Sequence, residues 1–334
     1  MITAFAPGRV NLIGDHTDHT GGLVLPMAIH LGTTISGERE GHVVSLQSSS
    51  EPQRAEIPLD VADPTALTPP WARYVAGVVA EQRPTIGFRG SVTTTLPVGA
   101  GLSSSAALEV ALALALGFAG PPEALAQLTR RAEQRASGVP CGIMDQLTSA
   151  AGVAGHALRI DCTSLHITPI PLPEDLEVVV VDSGERRRLA TSAYAERAAA
   201  CQAAQAELGP LRRATLADVA GLGDAVMRQR ARHVVTENAR VDQLAAALTA
   251  GDRLGISEAM AASHASLRHD FAVSTPGLDE LVRRLIHLDG VIGARLTGAG
   301  FGGCVVAIVE RATPLPAGMT AWRVRPWTGA GIVG

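Results

Sequence analysis

Four stretches of the chain collect side chains able to do chemistry. The densest is Ala6 to Ile29, APGRVNLIGDHTDHTGGLVLPMAI. Arg9 keeps its proton at any ordinary pH and can clamp a phosphate or carboxylate in a two-pronged fork, while Asp15, His16 and Asp18 supply acceptors and a donor suited to sugar hydroxyls. The D-H-x-D-H spacing also has the look of a zinc site, and at its plainest the segment is a polar surface loop. The second stretch, PVGAGLSSSAALEV from Pro97 to Val110, reads as a strand entering a Gly/Ser loop that opens a helix. Unpaired backbone N–H groups and the positive end of a helix dipole then converge on one point, a cradle for an anion. Gly99 and Gly101 let a phosphate come close to the backbone, and the hydroxyls of Ser103, Ser104 and Ser105 can donate to it or face Mg2+. The plainer alternative is a turn with a Ser N-cap.

The third stretch, LTGAGFGGCVV from Leu296 to Val306, is too dense in glycine for an ordinary hairpin, although a bulged strand connection would also use such residues. In the fourth, RAEQRASGVPCGIMDQLTSAAG from Arg131 to Gly152, a helix end carrying Glu133 leads through a turn to Asp145. A carboxylate beside Ile143 and Met144 needs a partner to stay charged, and Arg9 is a candidate. A helix N-cap is the plainer use of Asp145.

The elements that would hold these segments follow from periodicity. Strands are expected over Thr33 to Ser36, His42 to Gln47 and Gly90 to Pro97, then a helix over Ser103 to Gly117. Further helices are expected over Pro122 to Ala136, Thr191 to Leu208 and Asp224 to Leu248. The proline-rich run Ile167 to Asp175 reads as a domain boundary before an apolar strand, Leu176 to Ser183, giving domains 1–172 and 173–334. A late strand pair around Val291 to Glu310 completes an α+β pattern.

Composition narrows the function. A net charge of −4 and a pI near 6.2 speak against nucleic-acid binding. All 28 basic residues are arginine, so a Walker-type P-loop, which needs a lysine, is excluded. No apolar run is long enough to span a bilayer, and no signal segment opens the chain, so a cytoplasmic protein is expected. Cys141, Cys162, Cys201 and Cys304 are scattered without metal-binding spacing and read as reduced thiols.

Taken together, these motifs resemble a known family. GRVNLIGDHTDHTGG is similar to the signature segment of galactokinases, PVGAGLSSSAA to the phosphate loop shared by galacto-, homoserine, mevalonate and phosphomevalonate kinases, and TGAGFGGCVV to their third motif. WARYVAG, CGIMDQ, the Tyr194 helix and SHASLRHDFAVSTPGLDEL extend the resemblance over almost the whole chain. It implies a two-domain GHMP kinase fold, with an N-terminal domain like the second domain of ribosomal protein S5 and a C-terminal ferredoxin-like α+β domain. It implies ATP and Mg2+ as cofactors, a sugar substrate, and a monomer. By position, Asp145 and Arg9 would be catalytic, and Asp15, His16, Asp18, Gly142 and Tyr194 would bind the sugar. Ser105 and Glu133 would hold the metal. Trp71 and Tyr74 would line the adenine pocket, and Gly99, Ala100, Gly101, Leu102, Ser103, Ser104 and Ser105 would hold the phosphates.

The implied reaction is phosphorylation of galactose at its anomeric C1 hydroxyl. Asp15 stands where the family usually has Glu, one methylene shorter toward the sugar's C6 hydroxyl, and Thr20 replaces a usual Asn. A C1 kinase for a C6-modified or C6-lacking galactose analogue, or for N-acetylgalactosamine, is the nearest alternative. A silent sugar and ATP sensor would lack the Ser105-Ala106 pair, which is intact here, and an isoprenoid kinase would want a more apolar pocket.

Overall fold

In the computed structural model, residues 1–97, 99–139, 141–185, 190–315 and 318–333 are described; Val98 and Pro140, within two of the motifs above, fall outside them. The first half runs β1 (Ile2–Asn11), β2 (Leu23–Val24), β3 (Pro26–Glu38), β4 (Val43–Ser48), β5 (Ala55–Pro58), α1 (Ala72–Gln82), β6 (Phe88–Thr94) and α2 (Ser104–Ala115). It continues through α3 (Pro122–Ser137), α4 (Met144–Ala151), β7 (His156–Asp161) and β8 (Ile167–Pro171). The second half runs β9 (Leu176–Asp182), α5 (Ala190–Leu208), α6 (Leu216–Ala220), α7 (Ala225–Ala250), α8 (Arg253–His269) and α9 (Pro276–Leu285). It closes with β10 (Val291–Thr297), β11 (Cys304–Glu310), β12 (Ala321–Val324) and β13 (Gly331–Ile332). No described helix is long and apolar enough to cross a membrane.

Three sheets organise the chain, in the orders β13-β1-β3-β6-β4-β5, β10-β11-β9-β12 and β2-β7-β8. The valine run of β9 is buried because both faces of its sheet are covered: Val178 and Val180 enter one apolar core and Val179 and Val181 another, so there is no solvent face to alternate toward. α2 is the central helix of the first half. Its Ala and Leu residues pack against β1, β3, α1, α3 and α4, so it is buried nearly all round and its start is fixed from several directions. A Cβ on Gly77 would lie 2.4 Å from the carbonyl oxygen of Ala132, so glycine alone lets α1 and α3 approach this closely. That contact anchors α3 one residue before Glu133.

Two features bear on the expected domain boundary. The proline-rich segment from Ile167 is a paired strand over its first part: residues Ile167–Pro171 form β8, paired with β7 from Ile160↔Ile167 to His156↔Pro171. Pro169 and Pro171 are tolerated because β8 is an edge strand, where a missing N–H costs the sheet little. The boundary at 172/173 is also crossed by the chain's end. β13 pairs with β1 through Ala4↔Ile332, and the Trp327 N–H donates to the Ala28 carbonyl at 2.9 Å. One apolar core likewise draws on both halves, joining Leu12, Ile13 and Leu25 to Val178, Val241 and Val306.

Candidate active site

The ends of β1, α2, α3 and α4 meet at a cavity of about 630 Å³, whose far wall comes from Asp182, Gly184, Glu185, Tyr194 and the 298–299 turn. Arg9 and Asp145, 136 residues apart, close on each other there: Nε donates to Oδ1 at 2.7 Å and a terminal nitrogen donates to Oδ2 at 2.6 Å. The second terminal nitrogen of Arg9 donates to the Gly101 carbonyl at 2.7 Å, and the Arg9 N–H donates to the Leu102 carbonyl at 3.1 Å. β1 is therefore tied to the phosphate loop by both backbone and side chain. Gly8 permits the approach, since a Cβ there would lie 2.5 Å from the Leu102 oxygen.

Asp145 is not an N-cap, because Ile143 holds that position of α4. Nor does Ser103 cap α2: it sits in the left-handed region at φ 59°, makes no side-chain cap bond, and donates its hydroxyl to Asp145 instead. The Asp145 side chain keeps 28% exposure against 8% for Arg9, so the carboxylate retains an open side among the cavity-lining groups.

At the start of α2 the first N–H groups have no partner within the helix, and Gly99 and Gly101 precede them at φ 79° and 72°. Ser105 donates to Glu133 Oε1 at 2.8 Å, and Gln146 donates to the other oxygen. Burial, with Asp145 nearby, pushes the Glu133 carboxyl up to about 7. A hydroxyl beside a carboxylate that burial discourages from charging suits a hard cation, and these two residues fit Mg2+. Among the described residues no three His, Cys, Asp or Glu side chains gather to hold an ion alone, so remaining ligands would come from phosphate and water.

The loop after β1 forms the opposite wall. His16 takes φ 66°, unusual for a residue with a side chain, and its ring stacks on Phe271 at 4.4 Å with Tyr194 at 5.7 Å. Asp18 faces Gly142 so closely that a Cβ there would fall 1.7 Å from its Oδ2. Burial, reinforced by Asp145, pushes the Asp18 carboxyl up to about 6. Asp15 also lines the cavity, but it is not the open carboxylate expected from the sequence. It pairs with the fully buried Arg295, and its Oδ1 accepts from the Gly298 N–H at 2.7 Å.

The family models align with this layout: a galactokinase galactose-binding signature matches residues 2–39, the GHMP kinase N-terminal domain 72–153 and the GHMP kinase C-terminal domain 244–323. Over 92% of its length the chain is 44% identical to a Homo sapiens galactokinase, covering 84% of that protein. The chain belongs to the galactokinase family. A Chloroflexus aggregans galactokinase is 42% identical over 92% of this chain and 83% of its own. A Lactococcus lactis galactokinase crystallised with galactose superposes with a TM-score of 0.90 at 30% identity, covering 99% of this chain and 94% of that one. A mevalonate kinase shares the fold at TM-score 0.70 and 19% identity.

Trp71 stands at the start of α1, where its indole N–H donates to the Gln53 carbonyl at 3.1 Å, and neither it nor Tyr74 lines the cavity. Ala100 and Leu102 are buried in the core beneath the phosphate loop, so their contribution is through backbone only. Conversely, Gln146, Asp182, Glu185 and Gly298 line the cavity without having been singled out individually. Gln146 follows Asp145 directly, and Gly298 lies in the third glycine motif, so those two were within reach of the sequence.

Proposed function

We propose that this galactokinase-family chain transfers the terminal phosphoryl group of ATP to the C1 hydroxyl of galactose. The observation that carries the proposal is the two-point Arg9–Asp145 pair, set between the phosphate-cradling start of α2 and the hydroxyl-binding wall of His16, Asp18 and Tyr194. Phosphoryl transfer asks little covalent chemistry of a protein and much positioning. The loop from Gly99 to Ser105 holds phosphate oxygens on backbone N–H groups. Asp145 accepts the proton that leaves the anomeric hydroxyl, and Arg9, bonded to both of its oxygens, holds the carboxylate aimed. Ser103 fixes the second oxygen of Asp145, so the accepting lone pair points in one direction.

Mg2+ on Ser105 and Glu133 would offset the charge of the phosphates when bound. His16, Asp18 and Tyr194 orient the sugar, with Gly142 keeping clear the space that Asp18 enters. The intact bond from Ser105 to Glu133 favours an enzyme over a silent sensor. We place the chain in the cytoplasm, in keeping with the unbridged thiols of Cys141, Cys162 and Cys201, and as a monomer.

The test is incubation with galactose and Mg-ATP and phosphorus NMR of the product. A phosphorus signal coupled to the anomeric proton is expected; phosphate on another carbon, or no sugar phosphate, rejects the assignment.

A further inference from the structure

The turn that carries His16 and Asp18 follows Gly14, at φ 94°, and holds His16 at φ 66°, a left-handed backbone that a residue with a side chain disfavours. Such a conformation persists only where its surroundings over-determine it. Four side chains from the second half of the chain do so, and three of them reach the backbone of the turn region from α7. Glu237 Oε1 accepts from the Gly14 N–H at 3.0 Å, His233 Nε2 lies 3.0 Å from the Asp15 carbonyl, and Asn238 Oδ1 accepts from the Leu23 N–H at 2.7 Å. From β10, Arg295 donates to the Leu12 carbonyl at 3.0 Å. Because a carbonyl can only accept, His233 carries its proton on Nε2.

Glu237 and His233 are fully buried, lie one helical turn apart on α7, and are absent from the cavity lining. Glu237 is held from behind, with Ser263 donating at 2.6 Å and Arg240 at 2.7 Å, and His233 is held by Ser266 at 3.0 Å. The partners of both residues at the turn are main-chain atoms on either side of Asp15. Their hydrogen bonds therefore set the backbone path into His16 without contacting a ligand.

We infer that His233 and Glu237 are positioning residues for sugar binding: the α7 face is a template that imposes the sugar-binding shape on the Gly14–Asp18 turn through main-chain hydrogen bonds. This rests on the assignment of His16 and Asp18 to the sugar. The template acts through hydrogen-bonding capacity and not through charge, because Gly14 offers a neutral N–H and Asp15 a neutral carbonyl. Glutamine can replace either side chain at that task. An amide oxygen at 237 still accepts from Gly14, and an amide nitrogen at 233 still donates to Asp15. Leucine can do neither.

The experiment compares E237Q with E237L and H233Q with H233L, measuring KM for galactose, KM for ATP, kcat and the melting temperature of each full-length protein. Both substitutions at 237 remove the ion pair to Arg240 and lower the melting temperature. The leucine variants are expected to raise the galactose KM about tenfold or more while the ATP KM holds, since small displacements of positioning groups are costly. The glutamine variants are expected to keep the galactose KM within about threefold of the parent, although E237Q loses the same ion pair as E237L. Equal galactose KM values in the leucine and glutamine variants, or ATP and galactose KM values rising together, would overturn the template. Should E237L fail to fold, the His233 pair decides by the same criterion. Parallel measurement of D18N separates the two levels: a galactose KM indifferent to D18N defeats the sugar-site assignment itself, whereas a sensitive D18N with indifferent leucine variants defeats only the template.

Discussion

Asp145 meets Arg9 through both carboxylate oxygens and Ser103 through one of them, so three elements, β1, the phosphate loop and α4, are joined at a single side chain. Replacing that carboxylate with an amide keeps the shape and removes the proton acceptor. Asp145→Asn is expected to lower kcat by about 10²–10⁴-fold, the usual weight of a positioned base. ATP affinity, measured by calorimetry, should change little. Near-parental turnover in the variant would show that Asp145 is not the base.

Glu133 and Ser105 form the proposed metal position, so Glu133→Gln is expected to raise the Mg2+ concentration for half-maximal activity by about tenfold or more. A magnesium titration at saturating galactose and ATP reads this directly. An unchanged requirement would place the metal elsewhere.

Asp18 gives a pH dependence with a defined sign. Its carboxyl is raised to about 6 by burial and by Asp145, so below that pH it is neutral and loses acceptor strength toward a sugar hydroxyl. Galactose KM is expected to fall as pH rises through about 6 and then level off, and D18N should flatten that part of the profile. The stability consequence runs the other way: the raised carboxyl favours the native state below its ordinary range near 3.8, and that contribution is lost as pH rises through about 6. D18N should accordingly show a higher melting temperature than the parent at pH 8, an advantage that shrinks toward pH 4.

Much of this site was legible as residue types at spacings. Arg9, Glu133, Asp145 and the three serines stand in motifs where glycine and hydroxyl density leaves few other uses. What the spacing could not supply was the state of each group. Asp145 alone looks like an N-cap, and only the fold shows Ile143 in that position. Ser103 looks like a cap as well, and only its left-handed backbone turns the hydroxyl to Asp145. His233 and Glu237 carried no signal, because their partners are main-chain atoms more than two hundred residues away and the helical period of α7 accounts for them as ordinary positions. Pro169 and Pro171 suggested a domain boundary instead of a strand because sequence does not say which strand lies at an edge.

Asp15 and Arg295 make a buried ion pair beneath the sugar wall, with side-chain exposures of 2% and 0%. Arg295→Leu would leave the carboxylate without its counter-charge, and a loss of about 3–5 kcal/mol is expected from breaking such a pair on one side. Chemical denaturation checks this. A loss under about 1 kcal/mol would mean that the pair behaves as a solvent-exposed one.

Gly142 is a steric requirement, because its missing side chain is the space that Asp18 occupies. Gly142→Ala should displace Asp18 and raise the galactose KM, with the ATP KM nearly constant. A variant with the parental galactose KM would show that Asp18 can move without cost.

The most direct measurement is ADP release by the purified protein with Mg-ATP and, in separate reactions, galactose, glucose, N-acetylgalactosamine, arabinose, galacturonate or no sugar. Galactose is expected to give the highest kcat/KM, with release near background when no sugar is present. Background release with galactose alongside vigorous release with another of these sugars would contradict the account.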